Sequence, residues 1–122
     1  MSTNKQITST VTDAGTLEIG IAESERPIPG DDEVLIRIEA TPINPSDLGL
    51  LIGPGDINTL RVEDSKIIMD VPEAIMGAMK PRLNKPMPVG NEGSGIVIEA
   101  GANAQELIGK VVSVVGGGMY SQ

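Results

Sequence analysis

Glu33-Val34-Leu35-Ile36-Arg37-Ile38-Glu39-Ala40 sets Val34, Ile36 and Ile38 on one face and Arg37 and Glu39 on the other, the period-two pattern of a half-buried strand. Upstream, Arg26-Pro27-Ile28-Pro29-Gly30-Asp31-Asp32 is a turn cluster whose prolines and glycine interrupt any regular element. Before it, Gln6 to Val11 alternates weakly. Leu17-Glu18-Ile19-Gly20-Ile21 alternates clearly, which predicts one buried and one wet face. Downstream, Gly95-Ile96-Val97-Ile98-Glu99-Ala100-Gly101 reads as a strand ending in a glycine turn. Ile108-Gly109-Lys110-Val111-Val112-Ser113-Val114-Val115 reads as a continuous β-branched strand buried on both faces or nearly so. Short strands punctuated by glycine and proline, with little helix between them, predict a mainly β domain folded as a partly open barrel.

Two segments interrupt the strands. Pro45 restricts Asn44 to extended backbone. Asn44 can then cap a short helix opened by Pro45, Ser46 and Asp47, with Leu48-Gly49-Leu50-Leu51 as its body and its end before Gly53-Pro54-Gly55. Residues 56–88 have no clear period. Within them Asp70-Val71-Pro72-Glu73-Ala74-Ile75-Met76-Gly77-Ala78-Met79 has early acids and later apolar residues, as a short helix does. Pro81, Pro86 and Pro88 predict an extended connection after it. Met76 and Met79, three residues apart, either line a ligand pocket or fill the core as adaptable side chains.

Composition limits function. The 122 residues form one domain or part of one. With no Phe or Trp and one Tyr, the core rests on Val, Ile, Leu, Met and Ala. Each such side chain, fully buried, contributes about 1.5–3 kcal/mol, which predicts marginal stability for the chain alone. A formal net charge of −8 argues against nucleic acid and against an anionic membrane surface. No apolar run is long enough to span a bilayer, and the N-terminus lacks the apolar stretch of a signal peptide. The chain has no cysteine, which is compatible with a cytoplasmic protein. With no histidine either, the usual zinc ligands, Cys–His dyads and Ser–His–Asp triads are all excluded.

Two glycine-rich stretches fail as dinucleotide fingerprints, which need G-x-G-x-x-G between a strand and a helix. Gly90-Asn91-Glu92-Gly93-Ser94-Gly95 runs into a strand, and Gly116-Gly117-Gly118 is followed by only four residues. Gly93 and Gly95 suit a bulge or tight bend where a side chain would clash. Glu92, set among them, is either an acceptor for neighbouring amides or part of a site.

In order along the chain, the strand Glu33–Ala40, Ile43-Asn44-Pro45-Ser46-Asp47, Pro88-Val89-Gly90-Asn91-Glu92-Gly93-Ser94-Gly95-Ile96-Val97 and Ile108-Gly109-Lys110-Val111-Val112 resemble the medium-chain dehydrogenase/reductase superfamily. The matching part is its N-terminal, GroES-like catalytic domain, over roughly residues 15–120 with a weak stretch at 56–87. The resemblance implies a GroES-like, partly open β-barrel with one or two short helices, spanning residues 1–122 and incomplete at its C-terminus. A Rossmann domain absent from this chain is implied for the full-length protein.

Zinc alcohol dehydrogenases of that superfamily carry a cysteine ligand at the position matching Asn44 and a histidine ligand at the position matching Asn91. Neutral amides do not replace a thiolate and an imidazole on zinc, so no metal is expected. The Asn-Pro-x-Asp version is similar to the zinc-free quinone oxidoreductase branch, which uses NADPH, and in that branch the asparagine matching Asn44 sits near the nicotinamide. Asn44 is therefore the expected catalytic and cofactor-binding residue. Ser46 is the second expected catalytic residue, since it matches a hydroxyl that relays protons in the zinc enzymes. Asp47 is read as a structural first-turn acid.

The resemblance implies NADPH-dependent reduction of a quinone, enone or enoyl substrate, with a small-molecule substrate and the Rossmann domain as partners. Little or no catalysis is expected from the 122 residues alone. NADPH against NADH stays open, as does assembly into a homo-oligomer. Another class of function remains beside this one, a stand-alone GroES-like binding or co-chaperonin-type module, and a remnant without ligand is a third.

Overall fold

A computed structural model describes residues 3–122 and places them in two antiparallel sheets. The larger is built from β1 (Thr3–Val11), β2 (Thr16–Glu25), β4 (Asp56–Glu63), β5 (Lys66–Asp70) and β6 (Met87–Pro88), in the spatial order β4-β5-β2-β1-β6. The smaller has β3 (Val34–Ala40), β7 (Glu92–Ala100) and β8 (Val111–Val115) in the order β3-β7-β8. The domain is mainly β, as expected, and its two sheets are not closed into a barrel.

The helix expected after Asn44 is present as α1 (Pro45–Leu51). It is fastened at its C-terminal end, where the last carbonyls of a helix lack intrahelical partners. The hydroxyl of buried Ser9 on β1 lies 2.9 Å from the Leu51 carbonyl oxygen and 3.2 Å from that of Leu50. The Arg82 guanidinium donates to Ser9 Oγ at 3.2 Å, and a favourable cation thereby sits at the negative end of the helix. Among the described residues no helix is long and apolar enough to cross a membrane.

The 70–79 segment is more broken than its sequence pattern predicts. Asp70 ends β5, α2 covers only Glu73–Met76, and a 3-10 helix continues over Gly77–Arg82. Pro81 therefore lies inside helical backbone and not in an extended connection. Met76 and Met79 pack with Ile52, Ile75 and Leu83 against the buried cluster Val11, Leu17, Met69 and Val71. They are core side chains.

Three further expectations are corrected. Residues 56–70, which showed no period, form the β4–β5 hairpin. Its two-residue turn, Asp64-Ser65, has φ of 50° and 63° and lies inside the pair Glu63↔Lys66. The strand read as buried on both faces is instead a sheet edge, with Val111 76% and Val115 86% exposed. On β2, Leu17 is fully buried but Ile21, on the same face, is 71% exposed, because the helical cover reaches only the Leu17 end of the sheet.

Candidate functional site

The two motifs that carry the resemblance meet in space. Asn44 is the N-cap residue of α1, with extended backbone (φ −93°, ψ 154°), as the proline after it requires. Its side-chain amide donates to Glu92 Oε2 at 3.0 Å. The Asn91 amide donates to Ser46 Oγ at 3.1 Å. Two side-chain hydrogen bonds therefore bridge the start of α1 to the start of β7 across more than 40 residues of chain. Asn44 is half-buried, whereas Ser46, Asn91 and Glu92 are exposed.

Beneath this pair of bridges lies Asp47, 1% exposed and so the best-buried ionisable side chain of the site. Its Oδ2 accepts from the Asn44 backbone N–H at 2.9 Å and from the Tyr120 hydroxyl at 3.2 Å. Its Oδ1 accepts from the Asn91 backbone N–H at 3.1 Å. One carboxylate thus holds the backbone of both motifs and the chain near Gln122. This is the structural role expected of Asp47, though wider in reach than a first-turn acid needs.

Glu92 accepts a neighbouring amide, that of Asn44, and its own carbonyl oxygen receives the Thr41 hydroxyl at 2.8 Å. Beside it opens a recess of about 430 Å³ lined by Thr41, Glu92, Ser94 and Ser113 among others. Gly95 explains why β7 can pass here. A Cβ at that position would overlap the Arg37 carbonyl oxygen of β3, and would lie 2.9 Å from Ile36 Cγ2. The β3–β7 register shifts on either side of this approach, which is the bulge geometry expected for it.

Thr41 and Tyr120 were not singled out by sequence reasoning. Tyr120 carried one usable signal, being the single aromatic residue of the chain, two residues after a glycine run. Its pKa is raised above the ordinary 10.0 by desolvation, then by its hydrogen bond to Asp47 and the Asp47 charge. The fold therefore favours the neutral phenol. That contribution is complete below pH 10.0, the unfolded value, and is lost as pH rises through the raised value. Because no other tyrosine or tryptophan is present, phenolate absorbance reports this group alone. Titration should give a midpoint above 10.0 in the folded chain and one near 10.0 in urea. Equal midpoints would remove Tyr120 from the Asp47 cluster.

The donor set decides what the site can hold. Among the described residues no three Asp, Glu, His or Cys side chains are grouped to bind a metal ion. The side chains of Asn44 and Asn91 are amides that donate to Glu92 and Ser46. These residues do not fit zinc. They suit a neutral polar group better. The Asn44 amide carries two N–H bonds, of which Glu92 takes one, and Ser46 Oγ accepts from Asn91 while keeping its own hydrogen to donate. Neither glycine-rich segment opens a helix, so neither supplies an anion-binding N-terminus.

The model of the alcohol dehydrogenase GroES-like domain family matches residues 30–120. It takes in both motifs, β3, the β4–β5 hairpin, β7 and β8, and starts after β1 and β2. No curated protein matches the chain.

Proposed function

Because the chain belongs to the alcohol dehydrogenase GroES-like domain family, we propose that it is the N-terminal catalytic-domain portion of an NADPH-dependent, zinc-free oxidoreductase of the quinone, enone or enoyl reductase type. The observation that carries this reading is the pair of bridges Asn44–Glu92 and Ser46–Asn91, built from amides where zinc enzymes place metal ligands. NADPH, when bound, supplies the hydride and carries the hard chemistry. Asn44 orients the cofactor's neutral end with its second amide N–H. Ser46 donates its hydroxyl hydrogen toward the substrate side. Asp47 keeps both motifs in register. The cofactor's phosphates are held outside this chain, by the Rossmann domain of the longer protein.

A stand-alone co-chaperonin-type module has less support. It needs a mobile apolar loop, and the apolar residues of the 70–79 segment, Ile75, Met76 and Met79, are packed against the core.

The test compares the longer protein with the 122-residue chain for NADPH oxidation in the presence of quinones and enones. The longer protein is expected to turn over and the chain alone to show little or none. Substantial turnover by the 122 residues, or none by the longer protein with any such acceptor, would overturn the reading.

A further inference from the structure

We propose that the free edge of β8 is a self-association surface, on which a second copy of this chain lays its own β8 antiparallel about Ser113. The strand reads Val111-Val112-Ser113-Val114-Val115, the same in both directions. It has β7 on one side and, among the described residues, no strand on the other. Its outward backbone groups follow from the bonds on the β7 side. The Lys110 carbonyl accepts from the Val97 N–H at 3.0 Å, and the Gly116 N–H donates to the Asn91 carbonyl at 2.9 Å. Even-numbered residues therefore face β7, and strand alternation turns the N–H and C=O of Val111, Ser113 and Val115 outward. An antiparallel copy centred on Ser113 sets Ser113 against the partner's Ser113 and Val111 against the partner's Val115. All of these face outward, so each opposed pair can exchange two hydrogen bonds. The centre of the sequence symmetry thus falls on a residue whose backbone is free to bond, as a two-fold axis through the contact requires.

The edge also lacks the features that keep copies apart. Exposed edges are usually blunted by charge, proline or a bulge. The edge strand β4 of the larger sheet has Asp56, Arg61 and Glu63, and its register with β5 is irregular. In β8 there is no charged residue and no proline, and its pairing with β7 runs unbroken from Glu92↔Val115 to Ile96↔Val111. The exposed side chains of Val111 and Val115 gain a valine of the other copy as cross-strand neighbour, which removes apolar surface of both chains from water. Ser113 and Val115 line the recess beside Glu92, so the partner's Val111 extends its wall. The formal net charge of −8 opposes the approach of two copies at long range, and salt screens it. The pairing does not depend on the reductase reading.

A pairing this short is smaller than a standing interface, which buries roughly 1,200–2,000 Å², so the dimer is expected at high protein concentration. The experiment is sedimentation equilibrium of the 122-residue chain over a concentration series, with Ser113→Pro beside it. The Ser113 N–H bonds nothing on the β7 side, so proline there removes only the outward donor. The parent is expected to pass from monomer to dimer, more readily as salt is raised, and Ser113→Pro to weaken the dimer about tenfold or more. Ser113→Lys opposes two like charges at the axis and is expected to do the same without a proline in the strand. Register is read with cysteine, of which the chain has none. The two copies of residue 113 lie directly opposite, about 5.5 Å apart at Cα and within disulfide reach, whereas the two copies of residue 111 lie about 14 Å apart. Oxidised Ser113→Cys should therefore form a covalent dimer and Val111→Cys should not. A parent that stays monomeric throughout overturns the proposal. So does a dimer untouched by both Ser113 variants, or a Val111→Cys chain that crosslinks as fully as Ser113→Cys.

Discussion

Asp47→Ala is expected to cost about 3 kcal/mol or more of unfolding free energy in urea titration. The side chain is 1% exposed and accepts three hydrogen bonds, from the Asn44 N–H, the Asn91 N–H and the Tyr120 hydroxyl. Hydrogen bonds to a charged group contribute about 1.5–3 kcal/mol each when well made, but relaxation and entering water recover part of the loss. Asp47→Asn keeps one carbonyl acceptor and should cost less, and Tyr120→Phe, which removes a single donor, less again. The order of the three carries more weight than any one value. If Asp47→Ala behaves like a surface substitution, within about 0.5 kcal/mol of the parent, Asp47 does not join the two motifs.

The second large effect is at Gly95. Adding one methyl group there should destabilise the domain by about 2–4 kcal/mol, because the group it meets is the Arg37 backbone carbonyl and not a side chain that can swing away. Relief would require β3 and β7 to separate where the site is built. Gly49 is the matched control. It lies inside α1 and a Cβ there meets nothing within 4 Å, so Gly49→Ala should stabilise by about 0.5–1 kcal/mol through helix propensity. The same chemical change is thus expected to have opposite signs at two glycines. Equal effects at both would contradict the close approach of β7 to β3.

Local patterns in the sequence carried much of this architecture. The alternation of Glu33–Ala40 gives β3, and Asn44-Pro45-Ser46-Asp47 gives the start of α1 because proline and a capping residue act on their immediate neighbours. The β4–β5 hairpin escaped because its turn is Asp64-Ser65. Both residues take positive φ without the glycine that usually marks such a turn. The Val111–Val115 strand misled for a different reason. A β-branched run shows that a segment suits a strand, while its burial depends on what lies beside it, and β8 has a neighbour on one side only. At the site, the resemblance paired Asn44 with Asn91 as the positions matching two zinc ligands, whereas the hydrogen bond from Asn44 to Glu92 was not read from the sequence. The link from Asp47 to Tyr120 spans 73 residues, beyond the reach of any local pattern.

Asn44 began as one residue of a turn-like tetrapeptide and ends as an amide held over a buried carboxylate. The most direct test of the account is NADPH oxidation by the longer protein carrying Asn44→Ala, measured with and without prior dialysis against a chelator. We expect chelation to change nothing in either protein, and kcat/KM to fall about a hundredfold in the variant, as when one preorganised hydrogen-bond donor is removed from a reacting centre. Inactivation by the chelator, or an Asn44→Ala protein as active as its parent, would contradict it.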